Sequence, residues 1–74
     1  MNEQFPQRLK RMRLRRGMTQ DSLAEQCNLH ANAIANYETG RRTPSTEGLC
    51  KLADRLEVSI DYLLCRTDDP RRTS

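Results

Sequence analysis

The sequence predicts an all-α domain built from five short helices. Apolar residues recur three and four positions apart, as in Phe5, Leu9 and Met12, which is the spacing of one helix face. No segment alternates apolar and polar residues over the length of a strand between turn signals. With 74 residues, 35% of them hydrophobic, the chain is long enough for one domain with a small core.

A glycine, a threonine and an asparagine bound the first two helices. Gly17 can end the first helix, because glycine adopts the left-handed C′ conformation without strain. Thr19 is a good N-cap for the second helix, and Asn28 is the residue beyond it that best tolerates a left-handed turn. The inward face of the second helix is formed by Leu23, Ala24 and Cys27.

Similar signals bound the other three helices. We predict the third from Ala31 to Glu38, with Gly40 beyond its end, and place Ser45 and Ser59 as the N-caps of the fourth and fifth. The domain is assigned to residues 1–65. Residues 66–74 are polar and have no apolar anchor, so we expect a flexible C-terminal tail.

Positive charge is concentrated near the N-terminus. Residues 1–16 carry six Lys and Arg against Glu3 alone, residues 17–40 carry only acidic charges, and Arg41 and Arg42 follow. Such segregation favours a polyanionic partner. A basic helix face is also often simply solvated, so charge by itself does not decide the function.

Arg13 lies on or beside the apolar stripe of the first helix. An unpaired buried guanidinium costs several kcal/mol, so the residue needs a carboxylate if it points inward. Glu38, next to the predicted core residue Tyr37, is the best candidate. The alternative is that Arg13 extends along the edge of the stripe to water.

Residues 20–38 have the plan of a helix-turn-helix, in which the second helix lies in the major groove of DNA. The predicted core face of this second helix contains Ile34 and Tyr37. An asparagine can bind adenine through two hydrogen bonds, and an alanine methyl can contact the thymine methyl. The opposite face presents Ala31, Asn32, Ala35 and Asn36, so these residues are candidates to read bases. The alternative is that this face is an ordinary solvated surface.

Three stretches carry a family resemblance: GMTQDSLAEQ, IANYETGRRTPS and LADRLEVSIDYLL. In this order and spacing, over about residues 5–64, the chain resembles the Cro/phage-repressor, or XRE-type, helix-turn-helix family. The resemblance implies a five-helix lambda-repressor-like DNA-binding domain. It also implies a repressor-like transcriptional regulator that binds double-stranded DNA sequence-specifically, usually as a homodimer on a pseudo-palindromic operator.

The resemblance also assigns roles to individual positions. Arg13 and Glu38 match the family's buried ion pair. Ala31, Asn32 and Asn36 match the base-reading positions of the recognition helix. The phosphate-contacting positions are matched by Thr19, Gln20, His30, Thr39, Arg41 and Arg42. Arg8, Lys10 and Arg11 are further candidates for phosphate contacts, on the basis of their charge.

The expected dimer surface lies at the fifth helix, because the chain has no other spare apolar face. It comprises Tyr62, Leu63, Leu64 and Cys65.

Several positions depart from the family pattern. Asn28, Glu57 and Cys65 stand where the family commonly has glycine, so we expect positive φ at Glu57. His30 replaces the usual Ser or Thr cap, which predicts an altered start of the third helix. Leu14 is apolar where a polar residue is usual, so we expect it to be exposed or to pack against the tail or a partner.

Three cysteines, an odd number at unremarkable spacings, indicate small reduced core residues in a cytosolic protein. The alternative is a metal site that combines Cys27 and His30 with Cys50 and Cys65, but no Cys-x-x-Cys pair supports it. We therefore expect no metal and no cofactor. We also expect no enzyme, because no third residue is placed to orient His30 with Cys27.

Other classes of protein have weaker support. The apolar runs are too short for a bilayer span, and no apolar segment follows the basic N-terminus as in a secretory signal. An Arg-rich organellar presequence is a weaker alternative to a cytoplasmic protein. An antitoxin-like protein-binding module could use Leu14 and the tail. In 74 residues we expect no separate ligand-sensing domain, and hence no small-molecule ligand.

Overall fold

Five α-helices and their connections form the described part of the chain. The computed structural model describes residues 3–71, and no strand occurs among them. The helices are α1 (Phe5–Arg15), α2 (Gln20–Gln26), α3 (Ala33–Glu38), α4 (Thr46–Leu56) and α5 (Ile60–Leu63). The predicted all-α, five-helix architecture is confirmed.

One hydrophobic core joins the five helices. α1 packs against α3 and α5, α2 against α3 and α4, and α4 against α5. Burial of these side chains is the main favourable contribution to folding. Each helix supplies at least one fully buried residue: Leu9, Leu23, Ile34, Leu52, Leu56 and Leu63.

The predicted N-caps of α2, α4 and α5 are confirmed. In each, the cap hydroxyl oxygen accepts a hydrogen bond from the backbone N–H three residues later. The distances are 3.0 Å for Thr19, 3.1 Å for Ser45 and 3.0 Å for Ser59. Each cap satisfies a backbone donor that the first turn of a helix leaves unpaired.

A left-handed residue follows each of the five helices, within two residues of its end. Gly17 and Gly40 have φ values of +67° and +79°. The expected left-handed conformation is found at Asn28 (φ +55°) and Glu57 (φ +58°), and Cys65 adopts it as well (φ +63°). At all three it places a Cβ in a conformation that favours glycine.

α3 begins later than the sequence predicts. The expected start was Ala31, but the helix runs from Ala33, and Asn32 occupies the N-cap position without a side-chain cap bond. His30 organises the preceding turn: its Nδ1 accepts from Asn32 N at 3.2 Å, and its carbonyl accepts from Ala33 N at 2.9 Å. The departure at His30 therefore shortens the helix.

The first part of the predicted tail contacts the domain. Arg8 Nη1 donates to Thr67 O at 2.8 Å, and Ser59 N donates to Pro70 O at 3.1 Å. Residues 67–70 therefore lie against α1 and the start of α5. The domain boundary at residue 65 and the flexibility of the tail stay predictions, and residues 72–74 lie outside the described residues.

Surface exposure corrects one expectation and settles another. Cys27 is buried, as expected of a core thiol, but Cys50 is exposed and Cys65 only half-buried. Leu14 is 57% exposed, so it packs neither on the core nor under the tail. Across residues 3–71, no helix is both long and apolar enough to cross a bilayer.

Candidate nucleic-acid interface

The outward face of α3 and of the turn before it carries two amide side chains. Ile34 is fully buried and fixes the opposite face of the helix in the core. Asn32 is exposed and Asn36 is half-buried. Neither amide side chain makes a hydrogen bond with any residue in the described range 3–71. Both amides are therefore available to an external ligand.

An open hollow adjoins this face. It lies between the turn before α3, the helix itself and the loop after it. The loop folds back on the helix end, because the backbone N–H groups of Arg41 and Arg42 donate to Asn36 O at 3.0 and 3.3 Å. The hollow is lined by Leu29, His30, Asn32, Ala33, Asn36, Tyr37 and Arg42.

Arg42 lines this hollow, and Arg41 precedes it in the same loop. Both residues are exposed, and neither side chain forms an ion pair or hydrogen bond with residues 3–71. A guanidinium has five N–H donors and matches a phosphate through paired hydrogen bonds. The loop therefore supplies two available cations next to the amide face of α3.

The start of α2 supplies two further donors. Thr19 Oγ1 accepts from Ser22 N at 3.0 Å, which leaves the hydroxyl hydrogen available for donation. Gln20 Nε2 donates one hydrogen to Glu38 Oε1 at 3.0 Å and retains a second N–H. Thr19 and Gln20 can each donate to an anion.

His30 and Thr39 differ in what they can offer to a phosphate. His30 Nδ1 accepts from Asn32 N, so the neutral ring carries its hydrogen on the exposed Nε2. Thr39 Oγ1 instead donates to Ala35 O at 3.0 Å and to Asn36 O at 3.2 Å. In this orientation Thr39 has no hydroxyl hydrogen for a phosphate and serves the end of α3 instead.

The ion pair predicted between Arg13 and Glu38 is present. Arg13 Nε donates to Glu38 Oε2 at 2.7 Å and Nη2 to Oε1 at 3.2 Å. The two side chains are 9% and 3% exposed, and Arg13 Nη1 also donates to Met18 O at 2.8 Å. A buried charge pair with these added hydrogen bonds joins α1 to the end of α3.

A second arginine network was not predicted from the sequence. Arg8 is 6% exposed and donates to Glu3 Oε1 at 2.7 Å, Tyr62 O at 3.0 Å, Thr67 O at 2.8 Å and Asp68 Oδ1 at 3.1 Å. Its guanidinium carbon also lies 4.3 Å from the centroid of the Tyr62 ring, a cation–π distance. The suggested phosphate contact for Arg8 is wrong, because this side chain is buried and hydrogen-bonded to groups within the fold.

Arg11 belongs to the same network. It donates to both carboxylate oxygens of Glu3, at 2.8 and 2.9 Å, and to Tyr62 Oη at 3.3 Å. Hydrogen bonds from Arg11 and Arg8 lower the pKa of Glu3 from 4.5 to about 2. The signal in the sequence was that Arg8 lies three positions after Phe5 and next to Leu9, and so beside the apolar stripe of α1, as Arg13 does.

The proposed dimer surface needs correction at two of its four residues. Tyr62 is 5% exposed and Leu63 is 0% exposed, so both belong to the core of a single chain. The short α5 turns them inward toward α1 and α4. Leu64, 39% exposed, and Cys65, half-buried, are the two that remain at the surface.

The alternative metal site is not assembled. Among residues 3–71, no group of three or more His, Cys, Asp or Glu side chains is placed to hold a metal ion. Burial raises the pKa of the Cys27 thiol, which further disfavours the thiolate that metal binding requires.

A family model described as helix-turn-helix matches residues 9–63. The chain belongs to this XRE-type helix-turn-helix family. A repressor from the P22 system shares the fold: the crystal structure of the P22 c2 repressor in complex with synthetic operator 9T superposes with a TM-score of 0.82 at 27% identity. That match covers 85% of this chain and 96% of the repressor chain. The expected lambda-repressor-like fold class is confirmed.

Curated relatives in the helix-turn-helix family are transcription regulators. The HTH-type transcriptional regulator ImmR of Bacillus subtilis (strain 168) is 46% identical over 57 residues, which cover 77% of this chain and 45% of ImmR. The cryptic phage CTXphi transcriptional repressor RstR of Vibrio cholerae is 37% identical over 60 residues, covering 81% of this chain and 54% of RstR. The chain spans about half the length of these relatives. The family supports the prediction of a binding protein rather than an enzyme.

Proposed function

We propose that this protein is a repressor-like transcriptional regulator that binds double-stranded DNA sequence-specifically. One observation carries the proposal: the side-chain amides of Asn32 and Asn36 and the guanidinium groups of Arg41 and Arg42 have no partner among residues 3–71, and Asn32, Asn36 and Arg42 line one hollow. Hydrogen-bonding groups for base edges and cations for phosphates are what major-groove recognition requires. The family and the operator complex of the P22 c2 repressor support the same function.

α3 and its preceding turn enter the major groove in this proposal. Asn32 and Asn36 each bind an adenine through N6 and N7, and Ala31 contacts a thymine methyl. We therefore expect half-sites that contain A·T pairs. The small side chains around the two asparagines allow the helix to lie deep in the groove.

The phosphate contacts surround this face. Arg41 and Arg42 bind phosphates from the loop after α3, and the available donors of Thr19, Gln20 and His30 make further phosphate contacts. Phosphate contacts fix the position of the protein and carry no sequence information directly. The two groups of residues therefore have separable effects on affinity and specificity.

The protein acts as a homodimer on a pseudo-palindromic operator. Half-sites read in successive major grooves require recognition helices about 34 Å apart, or a multiple of that distance. Leu64, which is exposed, and Cys65, which is half-buried, are the part of the predicted dimer surface that reaches solvent. The function requires no metal, cofactor or small-molecule ligand, and it places the protein in the cytoplasm with the DNA.

Selection of bound sequences from a random duplex pool tests the proposal. The expected result is an enriched pseudo-palindrome with A·T pairs at the positions read by Asn32 and Asn36. On that duplex, Asn36→Ala should weaken binding by about 1–3 kcal/mol, with little effect on random DNA. No enrichment, together with no salt-sensitive affinity for any duplex, would overturn the proposal and favour an antitoxin-like protein-binding module.

A further inference from the structure

Gln20 and the buried ion pair share one carboxylate oxygen. Glu38 Oε1 accepts from Gln20 Nε2 at 3.0 Å and from Arg13 Nη2 at 3.2 Å. Arg13 Nε holds the other oxygen, Oε2, at 2.7 Å. A continuous chain of hydrogen bonds therefore runs from α1 through the end of α3 to the first residue of α2.

We infer that Glu38 is a positioning residue for DNA binding, which orients the side-chain amide of Gln20 toward a phosphate. The inference rests on the proposed function. An ionised carboxylate only accepts hydrogen bonds, so it holds the amide nitrogen of Gln20 and rejects its oxygen. One N–H of Gln20 is bound to Glu38, and the second stays available as a donor.

Burial of the Glu38 carboxylate holds the Gln20 amide in this orientation. The Glu38 side chain is 3% exposed, and both of its oxygens are fixed by Arg13. The amide of Gln20, itself half-buried, therefore meets a fixed acceptor before any DNA arrives. A donor that is already oriented loses less side-chain entropy when it binds. Arg13 also neutralises Glu38, which would otherwise repel a nearby phosphate.

A comparison of variants separates positioning from fold stability. Arg13→Met/Glu38→Met replaces the buried pair by apolar side chains of similar length, a change that is often close to neutral for stability, and removes the acceptor for Gln20. The probe is a fluorescent duplex of random sequence at low salt, because phosphate contacts do not depend on sequence. Urea unfolding of each variant reports how much of it is folded.

We expect Gln20→Ala to weaken duplex binding by about three- to tenfold, the value of one hydrogen bond. Arg13→Met/Glu38→Met should weaken it by a similar factor. When the two changes are combined, Gln20→Ala should add less than about 1.5-fold, since residues that act as a unit are not additive. Arg8→Met, which perturbs the distant network, should leave the effect of Gln20→Ala unchanged.

Three outcomes would overturn the inference. If the losses of duplex affinity in Gln20→Ala and in Arg13→Met/Glu38→Met were fully additive, Glu38 would contribute only to the stability of the fold. An unchanged affinity of Gln20→Ala, with the wild type still binding, would remove Gln20 from the interface and leave the proposed function intact. In the wild-type protein, NMR should show one Gln20 side-chain amide proton protected from exchange, and two equally exchanging protons would refute the hydrogen bond even if a variant fails to fold. A wild type that binds no duplex would instead refute the proposed function.

Discussion

Arg8 and Arg13 point into the molecule, whereas Arg41 and Arg42 point into solvent. The first two are 6% and 7% exposed and hold carboxylates and backbone carbonyls. The guanidinium groups of the second two have no partner among residues 3–71. All four count equally in a sequence-based charge pattern. Only burial separates the arginines that hold the fold from those available to DNA, so a count of basic residues overstates the size of the interface.

Removal of an arginine that points inward is expected to have the largest effect. Arg13→Ala leaves the Glu38 carboxylate buried without its cation, so we expect a loss of about 3–5 kcal/mol in the free energy of unfolding. Chemical denaturation followed by circular dichroism measures it. The control is Arg13→Met/Glu38→Met, which should cost much less. Equal losses of unfolding free energy in both variants would show that the ion pair itself stabilises the fold, and that the unpaired Glu38 carboxylate adds no further cost.

The second inward arginine should have a smaller effect. Arg8→Met keeps the apolar stem but leaves Tyr62 O and Thr67 O without their donor, which costs about 1–3 kcal/mol. Duplex affinity, measured well below the unfolding transition, should stay within about twofold of wild type, a difference worth about 0.4 kcal/mol. A large loss of affinity in a folded Arg8→Met protein would place Arg8 at the DNA after all.

The outward arginines should show the reverse pattern. Arg42→Ala should change the unfolding free energy by no more than about 0.5 kcal/mol. Its affinity for specific and random duplexes should fall alike, and the slope of log K against log salt should become shallower by about 0.9. Fluorescence anisotropy at several salt concentrations measures both. A loss of affinity for the specific duplex alone would instead show that Arg42 contacts bases.

The effect expected at Glu3 depends on pH, and it changes only in the acid range. Its folded pKa is about 2 against an ordinary value of 4.5, so its ionised form stabilises the fold above pH 4.5, and that contribution disappears as the pH falls toward 2. Glu3→Gln should therefore be less stable than wild type at neutral pH, with the difference narrowing through this window. A difference that is constant with pH would contradict the hydrogen bonds to Arg8 and Arg11.

The local features of the fold could be predicted from the sequence. Cap hydroxyls, glycines and apolar spacing act over a few residues, so Thr19, Ser45 and Ser59 could be placed without knowledge of the rest. The ion pair of Arg13 was accessible for a similar reason, because a charge on an apolar stripe demands a partner. The start of α3 was misplaced because His30 binds Asn32 N and holds a turn where the periodicity predicts helix.

The parts that escaped prediction depend on contacts between distant segments. Arg8 is satisfied by residues more than 50 positions away, which no local pattern shows. The apolar spacing of Tyr62 and Leu63 predicts a surface free for a dimer, yet both residues pack into the core against α1 and α4. Thr39 fits the family pattern by position, but its hydroxyl hydrogen is donated to backbone carbonyls of α3.

The three left-handed turns without glycine also bear on how this protein can be altered. Strain at Asn28, Glu57 and Cys65 costs roughly 1 kcal/mol at each site where the Cβ is crowded, and glycine would relieve part of it while loosening the unfolded chain. None of these three residues is itself a proposed DNA contact. Thermostability gained there could offset the losses that usually accompany redesign, so the domain is a suitable scaffold for changing operator preference through Asn32 and Asn36 alone.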